Sequence, residues 1–226
     1  MKEQRVESVE RALTILAAFS DGAPKLSLSE IAEKTGFYRS TILRLAASLE
    51  RFGYLSRDAD GYFHLGASLL HLGSLYQNGF CLSDHVRPAL ARISESTEQT
   101  AAFYVRENDR RVCLFRHHSK QMIRHFLEEG AVLSLEGGAS ARVLLAFDGQ
   151  PGPLYDDVRQ RGYYFSRGER DPDTAALSTP VFSRTGRLVG ALSCSGLSRH
   201  FEDEEKNSIM VGILMNESDA LRKLIP

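Results

Sequence analysis

Tryptophan is missing from the chain, cysteine occurs three times, and neither sign of charge prevails: 28 Lys and Arg stand against 29 Asp and Glu. Each scarcity excludes something. Cys81, Cys113 and Cys194 are odd in number, far apart and form no CxxC pair, so neither a disulfide framework nor a thiolate metal centre is expected, and a reducing cytoplasm is the natural compartment. A net charge of −1 excludes a basic protein that holds nucleic acid by its overall field; any anion-binding surface has to be local. No apolar run reaches the length of a membrane span, and the opening "MKEQRVESVERAL" is too charged for a secretory signal. Low-complexity tracts and internal repeats are also missing.

What is present reads as two modest domains in 226 residues. Val9, Leu13, Leu16 and Phe19 recur at helical spacing and predict an inward face for a first helix. In "LSLSEIAEKTG", Ser27 with Glu30 forms a capping-box pattern, Leu26 with Ile31 a hydrophobic staple, and Gly36 a C-terminal stop. A third helix follows, with Ile42, Leu45, Leu49 and Phe52 expected inward and Gly53 ending it. The period then switches: "YLSRDADGYFHLG" predicts a hairpin turning at Asp60-Gly61. "ASLLHLGSLYQNG", with Leu69, Leu72 and Tyr76 at helical spacing, predicts a connecting helix.

The second half opens on a helix with Val86, Leu90 and Ile93 on one face, where Pro88 is tolerable only in the first turn. Hairpins are expected at Asn108-Asp109 and Thr185-Gly186, further strands at "MIRHFLEEG" and "YYFS", a compact helix at "ASARVLLAF" and a closing helix from Glu202 to Leu224. Hairpin-paired strands flanked by helices give an α+β domain with an antiparallel sheet.

Three helices and a hairpin is the winged helix-turn-helix order, in which the third helix enters the major groove by its N-terminal end. The face opposite Ile42 and Leu45 carries Ser40, Thr41, Arg44, Ser48 and Arg51, with Tyr38 and Arg39 at the helix start. Arginine forks onto guanine, hydroxyls meet bases or phosphates, and free N–H groups at a helix start favour a phosphate. Arg57 and His64 on the hairpin are placed to reach backbone or minor groove. A single arginine on a wet helix face is usually just solvated; here the capped second helix, the glycine turn and the wing argue jointly for double-stranded operator DNA. Residues 1–80 hold nine basic and nine acidic side chains, so affinity has to come from a focused patch and dimerisation.

"ERALTILAAF", "LSLSEIAEKTGFYRSTILRLAASLERFGYL" and "DGYFHLG", then "GGASARVLLAF" and "STPVFSRTGRLVGALSCSG", resemble the IclR family of bacterial transcriptional regulators over nearly the whole chain. The resemblance implies a winged helix-turn-helix domain (1–66), a linker helix (67–80) and a GAF-like effector domain (81–226). It also implies homodimers or dimers of dimers, and effectors that are small aliphatic or aromatic carboxylates. The effector contacts it implies are Ala139 and Ser140 at a helix start, Ala176, and the strand Ser193, Cys194 and Ser195. Residue chemistry agrees in part: Gly137-Gly138 before a helix exposes backbone N–H groups to an anion, and Ser193 and Ser195 point to one side of a strand. The chain departs from the family in having "GGASAR" where a Ser/Thr-Gly-x-Gly-Lys run is common. It also has "SRGERDPDTAAL" before the "STP" strand, where Arg167 and Arg170 either reinforce an anionic ligand or, the preferred reading, lie in an exposed loop.

No catalytic set, cofactor or metal is expected. His117, His118 and His125 lack ligand spacing. The alternative is a GAF-type thiol enzyme or small-molecule binder using Cys194, with the helix-turn-helix as a protein contact; no resolving CxxC or neighbouring base activates that thiol.

Overall fold

A computed structural model of the chain describes residues 5–78, 82–121 and 127–226. The chain divides into two compact units, Met1–Gly79 and Phe80–Pro226.

The first unit runs α1 (Glu7–Ala17), α2 (Leu28–Thr35), α3 (Arg39–Arg51), β1 (Leu55–Arg57), β2 (Phe63–Leu65) and α4 (Ala67–Asn78). Local chemistry sets the α2–α3 corner. Ser27 Oγ accepts from the Glu30 N–H while the Glu30 carboxylate accepts from the Ser27 N–H, satisfying donors that the helix start leaves open. Gly36 ends α2 at φ 69°, a left-handed conformation that costs a glycine little. Replacing Ser27 with Ala is expected to cost about 1 kcal/mol, read as a shift in the denaturant unfolding of this unit; an unmoved midpoint would show that the box contributes nothing.

Ile15, Phe19, Leu26, Ile31, Ile42, Leu45, Leu49, Leu55 and Phe63 close the core. Leu26 also exchanges both backbone hydrogen bonds with Phe63, adding a bridge to the β1–β2 hairpin. Three residues expected inward are not: Val9, Leu13 and Phe52 are 54, 58 and 68% exposed. Helix α1 carries two apolar stripes, and Ala12, Ile15, Leu16 and Phe19 take the core side. Phe52 caps the end of α3, where the chain leaves the core.

The second unit runs α5 (Leu82–Thr97), β3 (Thr100–Glu107), β4 (Arg110–His117), β5 (Val132–Ser134), α6 (Ala139–Phe147), α7 (Pro153–Arg161), β6 (Tyr164–Arg167), β7 (Thr174–Phe182), β8 (Leu188–Leu197) and α8 (Glu204–Leu224). Among its described residues six strands form one antiparallel sheet in the order β5-β4-β3-β8-β7-β6. Helices α5 and α8 cover one face, with Val86, Ile93, Phe103, Phe115, Leu177 and Leu214 between the layers. Helices α6 and α7 cover the other through Tyr104, Cys113, Ala141, Leu144 and Val158.

Pro88 is the seventh residue of α5, beyond the first turn. Its missing N–H leaves the Asp84 carbonyl without its helical donor, and the complete burial of Val86, Ala89 and Ile93 offsets the loss. Helix α7 was not anticipated, although Pro153 at its first position and left-handed Gly162 after its last are start and stop signals. Of the expected strand at "MIRHFLEEG", residues 122–126 lie outside the described residues, residues 127–130 are loop and turn rather than strand, and a short strand, β5 (Val132–Ser134), follows them. Cys81 and His125 lie outside them as well. No helix among the described residues is long and apolar enough to cross a membrane.

Candidate functional site

Two surfaces gather the predicted site residues, one in each unit. In the first unit, burial of Ile42, Leu45, Ala46 and Leu49 turns the opposite side of α3 to solvent. Tyr38 precedes the helix and is 85% exposed; Arg39, Ser40 and Arg44 are exposed, and Thr41 is half-buried. The first turn holds no acidic residue, so nothing competes there with a phosphate for the helix N-terminus. Arg39 donates from Nη2 to Ser29 Oγ (2.9 Å), which ties its guanidinium to α2. Arg44 makes no hydrogen bond or ion pair with the described residues and stands free on the helix face.

The two wing residues are engaged inside the hairpin. Arg57 Nε donates to the Gly61 carbonyl (3.2 Å) and its guanidinium lies 5.1 Å from the Phe63 ring centroid. His64 Nε2 is 3.0 Å from Asp58 Oδ2. That contact, together with the Tyr62 N–H, holds the Asp58 carboxyl below the usual carboxylate range.

In the second unit, a small cavity opens between the sheet and the start of α6, with about 50 Å³ open to the centre of a water-sized sphere. Five of the six predicted effector residues, Ala139, Ser140, Ala176, Ser193 and Ser195, line it. Strand geometry explains the set: Ser193 and Ser195 share a face of β8, and Ser195 pairs with Ala176 on β7. Cys194, expected among the contacts, alternates to the opposite face and packs fully buried beneath α5 and α8. Burial pushes its thiol up to about 12.

The helix start also differs in detail from expectation. The Ala139 N–H is taken by Ser166 Oγ (3.0 Å) and the Gly138 N–H by Glu169 Oε2 (3.1 Å), leaving the Ser140 N–H as the open donor. Glu169 is also paired with Arg142 (3.2 Å). Ser193 Oγ donates to the Leu177 carbonyl (3.0 Å) and keeps its lone pairs for accepting.

Sequence reasoning missed the main charges. Arg111 and Arg116 on β4 line the cavity and are 2 and 8% exposed. Strict alternation would set residues 111 and 116 on opposite faces. A bulge shifts the register so that Phe103 pairs with Phe115 but Tyr104 with Cys113. Leu114 and Phe115 then both enter the α5–α8 core, while Arg111, Cys113 and Arg116 share the cavity side. Arg111 Nη1 donates to the Gly137 carbonyl (2.8 Å), its guanidinium lies 5.8 Å from the Tyr104 ring centroid, and its buried Nε has no partner. Burial lowers its pKa to about 10. Gly138, at φ 95°, makes room for it: a Cβ there would sit 3.1 Å from Arg111 Nη2. Arg170 is exposed in the β6–β7 loop, as preferred, and also lines the cavity, whereas Arg167 ends β6 rather than lying in the loop and donates to the Phe201 carbonyl (2.6 Å).

Among the described residues no group of three or more His, Cys, Asp or Glu is placed to hold a metal.

Comparison with known proteins follows the same division. Residues 8–59 match the IclR helix-turn-helix domain, and residues 77–151 and 154–221 the bacterial transcriptional regulator IclR C-terminal domain. The HTH-type transcriptional regulator KipR of Bacillus subtilis is 23% identical, over 89% of this chain and 90% of its own. The crystal structure of an IclR transcriptional regulator from Alicyclobacillus acidocaldarius is 25% identical with a TM-score of 0.83, covering 97% of this chain and 98% of that one. An IclR homologue from Microbacterium hydrocarbonoxydans, crystallised with 4-hydroxybenzoate, has the same fold at 20% identity and a TM-score of 0.81, covering 96% of this chain and 98% of its own.

Proposed function

The chain belongs to the IclR family of bacterial transcriptional regulators, and from that membership we propose that it reads an operator through α3 and the wing, with an affinity set by a small organic acid bound between β8 and the start of α6. The observation that carries the effector half is Arg111: a buried guanidinium with an open Nε is expensive unless an anion joins it. Ser193, Ser195 and the Ser140 N–H complete a carboxylate-binding set that contains no nucleophile or general base. The 4-hydroxybenzoate held by the Microbacterium homologue supports an acid as effector. For DNA, Arg44 offers a fork for a base edge, while Tyr38, Arg39, Ser40 and Thr41 surround the helix start that would meet a phosphate.

The chain acts as a regulator, as do the relatives it matches, and not as an enzyme. The thiol-enzyme alternative also lacks a usable nucleophile, because Cys194 is sealed from solvent and held as the neutral thiol. Action as a homodimer in the cytoplasm is part of the same proposal. Val6 just before α1, Val9 and Leu13 on it, and Leu70, Leu72, Leu75 and Tyr76 on α4, are exposed apolar side chains that a second copy would cover.

The test replaces Ser193 and Ser195 together with Ala and footprints operator DNA with and without acid. The footprint is expected to persist without acid and to stop responding to it. A normal acid response in the double variant would refute the pocket.

A further inference from the structure

The cavity between β8 and the start of α6 is too small for an acid of several carbons: about 50 Å³ holds a few waters. Room has to come from a wall that moves. Of the described residues lining the cavity, all but Gly138, Glu169 and Arg170 belong to strands or to α6. Glu169 and Arg170 lie in the β6–β7 loop, which makes that loop the wall best able to yield.

What the loop holds against the helix is a carboxylate. Helix α6 has no acidic residue in its first turn and no side-chain cap at Gly138. Glu169, 31 positions further on, supplies the negative charge that a helix start favours. The residue as a whole is exposed, yet its side chain is turned in to 22% exposure. Gly137 lets the loop come this close: a Cβ there would sit 3.1 Å from the Glu169 carbonyl oxygen. The Gly138 N–H (3.1 Å) and Arg142 Nε (3.2 Å) both donate to Oε2. These bonds are long beside the ~2.7–2.9 Å of a strong charge-assisted pair, so the carboxylate is loosely held.

A second observation marks the same spot as an anion site. Arg111, 2% exposed, packs against Gly138 with its Nε unpartnered among the described residues, and the Ser140 N–H is open one turn-residue further on. An acid that takes those donors arrives at a helix start already holding a carboxylate, and the two like charges repel. Resting on the acid-effector reading above, we propose that Glu169 is an internal stand-in for the effector: its carboxylate holds the start of α6 until an acid displaces it and swings the β6–β7 loop outward. Glu169 thereby sets the threshold of the response. An acid gains entry by out-competing it for the Gly138 N–H, with Arg111 Nε and the Ser140 N–H as partners that Glu169 lacks.

Isothermal titration of the full chain with butyrate, succinate and 4-hydroxybenzoate, in the parent and in Glu169→Gln, reads the competition. Glutamine keeps an oxygen for the Gly138 N–H and drops the charge. Whichever of these acids binds the parent is therefore expected to bind the variant about tenfold more tightly. Equal or weaker binding in the variant would make Glu169 a brace for the helix start and overturn the proposal, leaving the acid-effector reading intact. No binding of any of the three to either protein would sink both. Because losing a negative charge helps any nearby anion, heteronuclear NMR of the parent supplies a second readout. Arg142 is not among the residues lining the cavity, so its Nε–H resonance reports on Glu169. During the titration that resonance and the Gly138 amide are expected to shift together with the Ser140 amide. A shift at Ser140 with Arg142 unmoved would mean that the acid binds beside a stationary Glu169, and displacement would be refuted.

Discussion

Replacing Arg44 with Ala is expected to weaken operator binding by about 1–3 kcal/mol, roughly 5- to 150-fold in Kd, with the loss concentrated on the preferred sequence. The size follows from its surroundings. Arg39 is held by Ser29, and Arg57 is held by Gly61 and stacked on Phe63, so each must give up a partner to meet DNA. Arg44 gives up nothing. It stands one turn into α3, directly on the face opposite Ile42 and Leu45, which are buried and fix the direction of the helix. Because no described residue depends on it, the variant should unfold at the same denaturant midpoint as the parent. Anisotropy titrations on specific and scrambled duplexes separate the outcomes. Equal losses on both would make Arg44 a phosphate contact, and no loss on either would remove it from the interface.

The second large effect is expected from Arg111→Met: acid binding falls at least about 100-fold while the ligand-free fold keeps its stability to within about 1 kcal/mol. Two opposing quantities set the stability side. Burial lowers the pKa from 12.5 to about 10, a penalty on the charged form of about 3 kcal/mol that methionine does not carry. Methionine in turn loses the charge-assisted bond to the Gly137 carbonyl, about 1.5–3 kcal/mol. They nearly cancel. On the acid-effector proposal this cation is retained for its ligand, and calorimetry of the variant with small organic acids checks both halves. A variant that unfolds much earlier than the parent would make Arg111 a structural residue; one that still binds acid would remove it from the site.

How far the sequence announced this molecule depends on the range of the signal. The turns were legible because each is a local matter of backbone conformation: Gly61 at φ 87°, Asn108 at φ 58° and Gly186 at φ 83° sit where the hairpins were expected. The α2 cap was legible for the same reason, all its partners lying within four residues. The inward side of α1 was not, because Val9 and Leu13 form as regular a stripe as Ile15 and Phe19, and only the packing of α2, α3 and the hairpin chooses between them. In the cavity, Ser193 and Ser195 followed from strand alternation and Cys194 should have been excluded by the same rule. Arg111 and Arg116 were hidden by a rule that holds almost everywhere and fails at one bulge. Arg170 looked like one more charge in a polar loop, and only tertiary structure returns that loop to the start of α6.

The central claim is that one chain couples DNA reading at α3 to acid binding beside Arg111. Coupling requires the acid to favour one DNA-binding state over the other. The direct measurement is an anisotropy titration of the full chain on a duplex selected from random DNA, with and without a saturating small organic acid that calorimetry shows to bind. The expected result is a change in operator Kd of at least about fivefold in the parent, with no change in Arg111→Met. Superimposable curves in the parent, under conditions where calorimetry shows the cavity filled, would contradict the account.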